Sequence, residues 1–456
     1  MSNVCLLPSV DLDSLNSEES SALTTQFWRF LWSAILIALS GCLGNVVDSI
    51  IVGNLIGGDG VSAINLSKPV VQFMFTISML ISAGAGMLVG MALGKQDHQR
   101  AAYIYTHSLF GSLVFGLLLT VCGMLFPDLI TGWLCQNEHL FQPTRDYLVV
   151  MLWGAPAYMV MWALSTMVGV DGSPRLVSIA ILVDNAVNLG LDIVLIQYLG
   201  WGIEGSSAAT VVGHLVGIVL MLRHWFYADN HLHFTHVHEQ PVWGSIISQG
   251  APLAVASICL TLLLLSANSI VLSSLGRTGI FAFAVCMNLL QIYNLFLSGT
   301  CRTLQSLGAI QVGKGDQEAF RLILRKAFSF ITIAMILTCV FVWIDPQAIA
   351  HLFGADEPEQ IAETDHALRV FSLSFIPFCY IYVVMIVYKL YNCHKMAIFI
   401  SFALSLTVIP VMWLMARLMP DYLWYSYLIA YVIEILAIVV LHKMGHIRFE
   451  LPKNAK

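Results

Sequence analysis

Residues 176–198 read LVSIAILVDNAVNLGLDIVLIQY. At about 1.5 Å per residue the run is long enough to cross about 30 Å of hydrocarbon, yet it carries Asp184, Asn185, Asn188 and Asp192. Polar groups at such depth are costly and persist only where they act or are paired. Asp184, Asn188 and Asp192 recur every four residues, and Asn185 lies three before Asn188, so all four share one narrow helical stripe. That stripe must face a wet cavity or another helix.

The rest of the chain follows the same pattern. Of its 456 residues, 58% are hydrophobic and 11% charged, with a mean hydropathy of +0.81. Soluble chains average roughly 45–50% apolar and about 25% charged residues, so too little polar surface is present to cover a globule of 50.3 kDa. This excludes a cytosolic enzyme, a nucleic-acid binder and a secreted domain. The net charge of −6 arises largely from a tail (Asp11, Asp13, Glu18, Glu19) and one loop (Asp356, Glu357, Glu359, Glu363, Asp365), and no basic patch suits nucleic acid. Cys42, Cys122, Cys259, Cys286, Cys301, Cys339 and Cys379 lie in apolar runs and Cys135 in an outer loop, so no disulfide framework is expected. The first 26 residues lack a basic n-region and a cleavage site, which predicts a retained first membrane helix.

Apolar runs predict helices near 27–53, 62–93, 102–126, 147–170, 176–198 and 205–225, then 243–274, 280–312, 321–343, 367–391, 396–418 and 423–444. The expected fold is an all-α integral membrane protein of twelve transmembrane helices, antiparallel to their neighbours because turns such as Gly57-Gly58-Asp59-Gly60 are short. Placing both termini in the cytoplasm puts Arg29, Lys95, Arg100, Arg175, Arg223, Lys314, Arg321, Arg325, Lys326, Lys389, Lys395 and Lys443 inside, against Arg145, Arg277, Arg369 and Arg417 outside. The chain is thus expected to be multi-pass in the cytoplasmic (inner) membrane, with tails at 1–26 and 445–456.

A repeat with a period of about 220 residues divides the chain into two pseudo-symmetric six-helix halves, 27–225 and 243–444, joined by a cytoplasmic loop at 226–242. Asp48-Ser49-Ile50-Ile51-Val52 is echoed by Asn268-Ser269-Ile270-Val271-Leu272, Leu93-Gly94-Lys95-Gln96-Asp97 by Val312-Gly313-Lys314-Gly315-Asp316, and Pro156 by Pro377. Duplicated transporters place their sites between or within such halves near mid-membrane.

On helix 1, Ser40, Gly44 and Asp48 form a second stripe, with Asn45 three residues before Asp48; Thr210 on helix 6 adds a hydroxyl. Carboxylates with amide and hydroxyl oxygens suit a monovalent cation or a proton carried on an acid. Asp184, near the start of helix 5, is expected mainly to snorkel or to bond a neighbouring helix. In the second half, Arg302 on helix 8 and Glu434 on helix 12 are expected to pair or to line a substrate cleft, and His214 stands at the repeat position of Glu434. Lys68, beside Pro69 toward the outer end of helix 2, is expected to snorkel. Tyr158, Met161 and Trp162 share one helix face that suits dissimilar amphipathic molecules. His231, His233, His236 and His238 match no zinc spacing, so no metal site is expected.

Val47-Asp48-Ser49-Ile50, Asp171-Gly172-Ser173-Pro174, Asn188-Leu189-Gly190-Leu191-Asp192 and Gly205-Ser206-Ser207-Ala208-Ala209-Thr210, in this order and spacing, resemble signatures of the multidrug and toxic compound extrusion (MATE) transporters. The resemblance implies two six-helix lobes around a V-shaped cleft, and cation-coupled antiport (H+ or Na+) of amphipathic, mostly cationic drugs. In the DinF-like branch the cation site lies in the N-terminal lobe, and its acids, Asn and Thr match Asp48, Asp192, Asn188 and Thr210; Asn45, Asp184 and Asn185, on the same polar stripes of this sequence, are the accessory candidates. The NorM-like branch has further acids on helices 7 and 10; here Leu260 stands near the first position and 367–391 contains no carboxylate. Some DinF-like members bend helix 1 at a proline, but none occurs between Pro8 and Pro69, leaving Gly41 and Gly44 to yield.

The sequence thus predicts a transporter acting as a monomer among membrane lipids, without an enzyme's constellation, a cofactor or a Walker motif. The alternative is a flippase for a lipid-linked precursor, whose cleft would need several cations; Arg302 and Lys68 are the candidates.

Overall fold

The computed structural model describes residues 17–227, 230–235, 242–391 and 393–443, and its regular structure is all helical. In chain order the helices are α1 (Ser17–Ile56), α2 (Gly58–Gly94), α3 (His98–Leu125), α4 (Pro127–Leu134), α5 (Glu138–Trp153), α6 (Ala155–Val170), α7 (Pro174–Asp192) and α8 (Ile203–Leu222). The second half holds α9 (Trp243–Thr303), α10 (Ala309–Lys314), α11 (Gln317–Ile344), α12 (Pro346–Leu352), α13 (Pro358–Leu390), α14 (His394–Leu406), α15 (Val408–Leu418) and α16 (Ser426–Lys443). Among the described residues nine helices are long and apolar enough to cross a membrane, and α5 with α6 makes a tenth as a pair bent by 53°.

That bend replaces the single helix expected over 147–170. It falls at Gly154, two residues before Pro156, where a missing proline N–H and a flexible glycine coincide. The repeat partner Pro377 lies inside the continuous α13, where Phe375 occupies the position corresponding to Gly154. Proline alone therefore leaves this helix unbroken.

The internal repeat is visible in backbone geometry. Gly57 separates α1 from α2 with φ 99°, and its counterpart Gly276 breaks the long α9 with φ 64°. Both adopt the left-handed region that glycine enters without a steric penalty. At the next joint, Gln96 (φ 60°) and Gly315 (φ 74°) end their helices, with closing bonds from Asp97 N to Ala92 O (2.9 Å) and from Asp316 N to Gln311 O (3.0 Å). Each aspartate then caps the following helix by accepting from Arg100 N or Ala319 N.

Ile280–Cys286 is a run with no exposed residue, so this arm of α9 is the centre of a core rather than a lipid-facing stripe. Around it gather Tyr293, Phe371, Phe375, Trp424 and Tyr427, and the start of α1 joins through Phe27 and Leu31. Trp28 and Trp32 of α1 meet Phe330 of α11 edge-on. The first half builds separate, smaller cores around Ala163, Met167 and Tyr105, and around Met74 and Met159.

The two halves meet chiefly where α2 runs along α9. Asn65 and Asn268 exchange hydrogen bonds of 3.0 and 2.9 Å, and Ser257 meets Gln72 (3.0 Å) and Thr76 (2.6 Å). At one end Arg277 bridges Asp59 and Glu357, while Asn54 Nδ2 donates to Leu352 O at 2.8 Å. Toward the other, backbone lies on backbone: a Cβ at Gly84 would strike the Ile246 carbonyl, and one at Gly250 the Leu80 carbonyl. No side chain can swing aside there, so Gly84→Ala is expected to cost about 1–3 kcal/mol, read as a lower thermal midpoint of the purified protein. An unchanged midpoint would mean that the helices separate freely at this crossing.

Candidate functional site

The sequence placed Asp48, Asn188, Asp192 and Thr210 on three different helices, and α1, α7 and α8 bring them together. Asp48 and Asp192 interact directly through their carboxyl groups. Asn188 Nδ2 donates to Thr210 Oγ1 at 3.0 Å, the Thr210 hydroxyl donates to Ser206 O at 3.2 Å, and the Ser206 hydroxyl donates to Asp48 Oδ1 at 3.4 Å. A polar chain thus runs from α7 through α8 to α1. Asp192 is fully buried, and apart from the facing Asp48 carboxyl no polar group among the described residues meets its oxygens. It ends α7, and the helix continues as a π-helical turn over Ile193–Tyr198. Such turns interrupt the ordinary helical register and frequently mark functional positions.

Two carboxyls facing one another, one of them fully buried, cannot both ionise cheaply. Such a pair can accommodate one proton or one monovalent cation between its carboxyls. Ser206 lies one helical turn before Thr210 and was missed as a site residue; the i, i+4 relation to Thr210 was the available signal.

The accessory residues divide. Asp184 Oδ2 meets His214 Nδ1 at 3.0 Å, and the His214 ring lies edge-on to Tyr158 at 5.4 Å. Asp184 thus bonds the neighbouring helix as expected, and its partner is the histidine that the repeat had matched to Glu434. Gly213 permits this approach, because a Cβ there would strike the Asp184 carboxylate. Asn185 packs its amide over Gly44 of α1, where a Cβ would come within 2.6 Å of it. The side chain of Asn45 lies outside the described residues.

A cavity of about 560 Å³ lies between the halves. Ile64, Lys68, Val71 and Gln72 of α2 line it at helical spacing, with Asp48 of α1 beside them; α9 adds Leu260, Asn288 and Gln291, while α13 and α16 add an aromatic wall of Phe378, Tyr382, Tyr427 and Tyr431. Lys68 therefore faces the cavity rather than snorkelling. Because α2 begins at Gly58 and not near 62, Lys68 lies almost three turns inside its helix. The other suggested cleft residues do not line this cavity. Tyr158 and Met161 are buried within the first half, and Trp162 stacks edge-on against Phe75. Arg302 is exposed and Glu434 buried, and the two form no ion pair. Glu434 has no hydrogen-bond partner for either carboxylate oxygen. Glu434→Gln should therefore leave gradient-driven transport intact while changing stability by about 1–3 kcal/mol; complete loss of transport by folded variant would move the coupling acid to the second half.

At one end of α6, Asp171 gathers the joining loop. It meets His224 Nε2 at 2.8 Å and His231 Nδ1 at 3.1 Å, and accepts the His231 amide at 3.0 Å. His98 stacks on His231 at 4.5 Å. Among the described residues no cluster of three or more His, Cys, Asp or Glu side chains could hold a metal; His236 and His238 lie outside those residues.

Comparison with known proteins decides the family. The MatE pattern matches residues 33–194 and again 252–442. The chain belongs to the MatE family. Its MatE relatives include the multidrug export protein MepA of Staphylococcus haemolyticus (strain JCSC1435), 21% identical over 78% of this chain and 79% of that protein. MepA of Staphylococcus aureus (strain MRSA252) is 22% identical over 62% of this chain and 63% of its own length. Among solved structures, a multidrug resistance MATE family transporter in its inward-facing conformation superposes with a TM-score of 0.81 at 17% identity, over 90% of this chain and 98% of that one. The outward-facing conformation of a MATE family transporter gives 0.70 at 16% identity, over 94% and 98%. These MatE relatives make the chain a multi-pass membrane transporter and not an enzyme.

Proposed function

We infer that this MatE protein exports amphipathic organic compounds, taken up from the cytoplasm, in exchange for an inward-moving cation. The observation that carries the reading is the double position of Asp48, which forms part of the cavity wall and also touches the buried Asp192. A positively charged group in the cavity and the coupling cation then compete for one carboxylate, which is the requirement for exchange. The multidrug export relatives support the cargo.

The coupling ion is a proton, with sodium able to compete for the same ligands. A proton needs only the acid pair, whereas the Thr210 hydroxyl and Asn188 amide already bond each other and the α8 backbone. The side-chain amide of Asn268, the repeat counterpart of Asp48, is committed to Asn65, and Leu260 with a carboxylate-free 367–391 favours the DinF-like arrangement of an N-terminal coupling site. Adding α1 and splitting α9 at Gly276 into two spans raises the ten to twelve crossings, six to each lobe, and the Lys and Arg bias of the loops favours both termini in the cytoplasm. The protein works as a monomer in the cytoplasmic membrane, its two lobes opening the cavity alternately to either face. A flippase would need several cavity cations, and Lys68 is the only one among the described lining residues.

Proteoliposomes containing the purified protein and a fluorescent amphipathic dye test this directly. Dye should move against its gradient when a pH difference is imposed, and more weakly with a sodium difference. Absence of concentrative movement under either gradient would overturn the reading.

A further inference from the structure

Within the chain that joins the two halves, residues 230–235 are seated on the first half. Leu232 is fully buried, Thr235 N donates to Thr106 Oγ1 at 3.1 Å, and Phe234 packs against Tyr105 (5.7 Å) and Trp225 (5.0 Å). Just beyond the joining chain, Trp243 packs over Gly111 of α3, where a Cβ would strike its ring. The remaining hold is polar. Asp171 accepts from the His231 amide, the His231 ring and the His224 ring, yet no Lys or Arg among the described residues pairs with it.

With both imidazoles neutral, this buried carboxylate keeps an uncompensated negative charge, which a proton on either ring would offset. The two rings are not equivalent. His224 is itself buried and its Nδ1 has no hydrogen-bond partner among the described residues, so a charge there would bury an unanswered N–H. His231 is 45% exposed, and its Nδ1 already faces Asp171. His98 of α3 stacks on His231 at 4.5 Å, so a charge on one of these two rings repels a charge on the other. The other titratable groups brought to the cluster are phenols: Tyr105 of α3, which feels the Asp171 charge, and Tyr227, edge-on to His224 at 5.7 Å.

We propose that 230–235 is a proton-operated strap between the halves. A proton taken from the cytoplasm by His231 converts a neutral contact with Asp171 into an ion pair. The first half then grips the joining chain more tightly, and the relative motion of the halves slows. The grip is full at low pH and weakens as pH rises and the imidazole loses its proton. Because exchange brings protons inward, an acidified cytoplasm restrains the transporter; this consequence rests on the exchange reading above, whereas the strap itself does not.

Hydrogen–deuterium exchange of the purified full-length protein reads the strap without substrate or gradient. It is followed from about pH 5.5 to 8 and corrected for the intrinsic pH dependence of amide exchange. Protection of 230–235 should rise about tenfold toward the acid end, the scale of one neutral hydrogen bond becoming charge-assisted. His231→Gln, which keeps a neutral donor for Asp171, should show equal protection at both ends. His233→Gln, at an exposed ring of the same segment, should behave as the wild type. In proteoliposomes with equal pH on both faces, dye-for-dye exchange should slow more steeply with acid in the wild type than in His231→Gln. The strap is overturned if wild-type protection does not rise with acid, or if His231→Gln retains the rise. Its restraint of transport is overturned if the two proteins exchange dye with the same pH dependence. Should the variant not fold, wild-type protection still decides. An acid rise in protection without any gradient-driven dye movement would remove the exchange reading and leave the strap standing.

Discussion

Asp192→Asn is expected to abolish gradient-driven efflux, reducing it to the level of liposomes without protein, while expression and membrane insertion stay normal. The amide matches the carboxylate in size. Beyond the facing Asp48 carboxyl, Asp192 has no hydrogen-bond partner among the described residues to lose. What is lost is the capacity of the pair to share one titratable charge between two carboxyls. Substrate binding should survive, since Asp48 and Lys68, not Asp192, line the cavity. The measurement is dye efflux from proteoliposomes together with equilibrium binding to the purified variant. Retained concentrative efflux would remove Asp192 from the coupling machinery.

Asp171→Ala is expected to cause the largest loss of stability. Its side chain is almost fully buried, and so is its partner His224, whose other ring nitrogen has no hydrogen-bond partner. Removing the carboxylate strands that imidazole and releases the joining loop at His231. Each buried polar partner left without its hydrogen bond costs about 1–3 kcal/mol, and Asp171 loses three such contacts at once, so the thermal midpoint of the purified protein should drop clearly. Efflux per correctly folded molecule should persist, because this cluster lies outside the cavity. A midpoint equal to that of the wild type would show that the loop is held by other contacts.

Much of the fold was legible because membrane helices announce themselves by length and hydropathy, and because the repeat carries its turn chemistry with it. Gly57 and Gly276, or Asp97 and Asp316, do the same local work at both copies. The bend at Gly154 was less legible: Pro156 and Pro377 look equivalent in sequence, and only the preceding glycine, against Phe375, separates a broken span from a continuous one. Four candidate site residues expected from spacing and resemblance, Asp48, Asn188, Asp192 and Thr210, lie together where α1, α7 and α8 meet. Periodicity says which residues share a helix face but not what that face meets. For this reason Arg302 and Glu434 looked like partners and are not, while Lys68 looked peripheral and lines the cavity. The stripe Ile64, Lys68, Gln72 was visible in the sequence; its meaning depended on where α2 begins.

The central claim is that the Asp48–Asp192 pair exchanges a proton for substrate. Adding substrate to purified protein in weakly buffered solution near neutral pH, while following proton and sodium release together, tests it most directly. The account predicts release of about one proton per substrate bound, because the pair carries one shared charge, with no sodium released and no proton release from the Asp192→Asn variant. Stoichiometric sodium release without protons, or proton release that survives in Asp192→Asn, would contradict it.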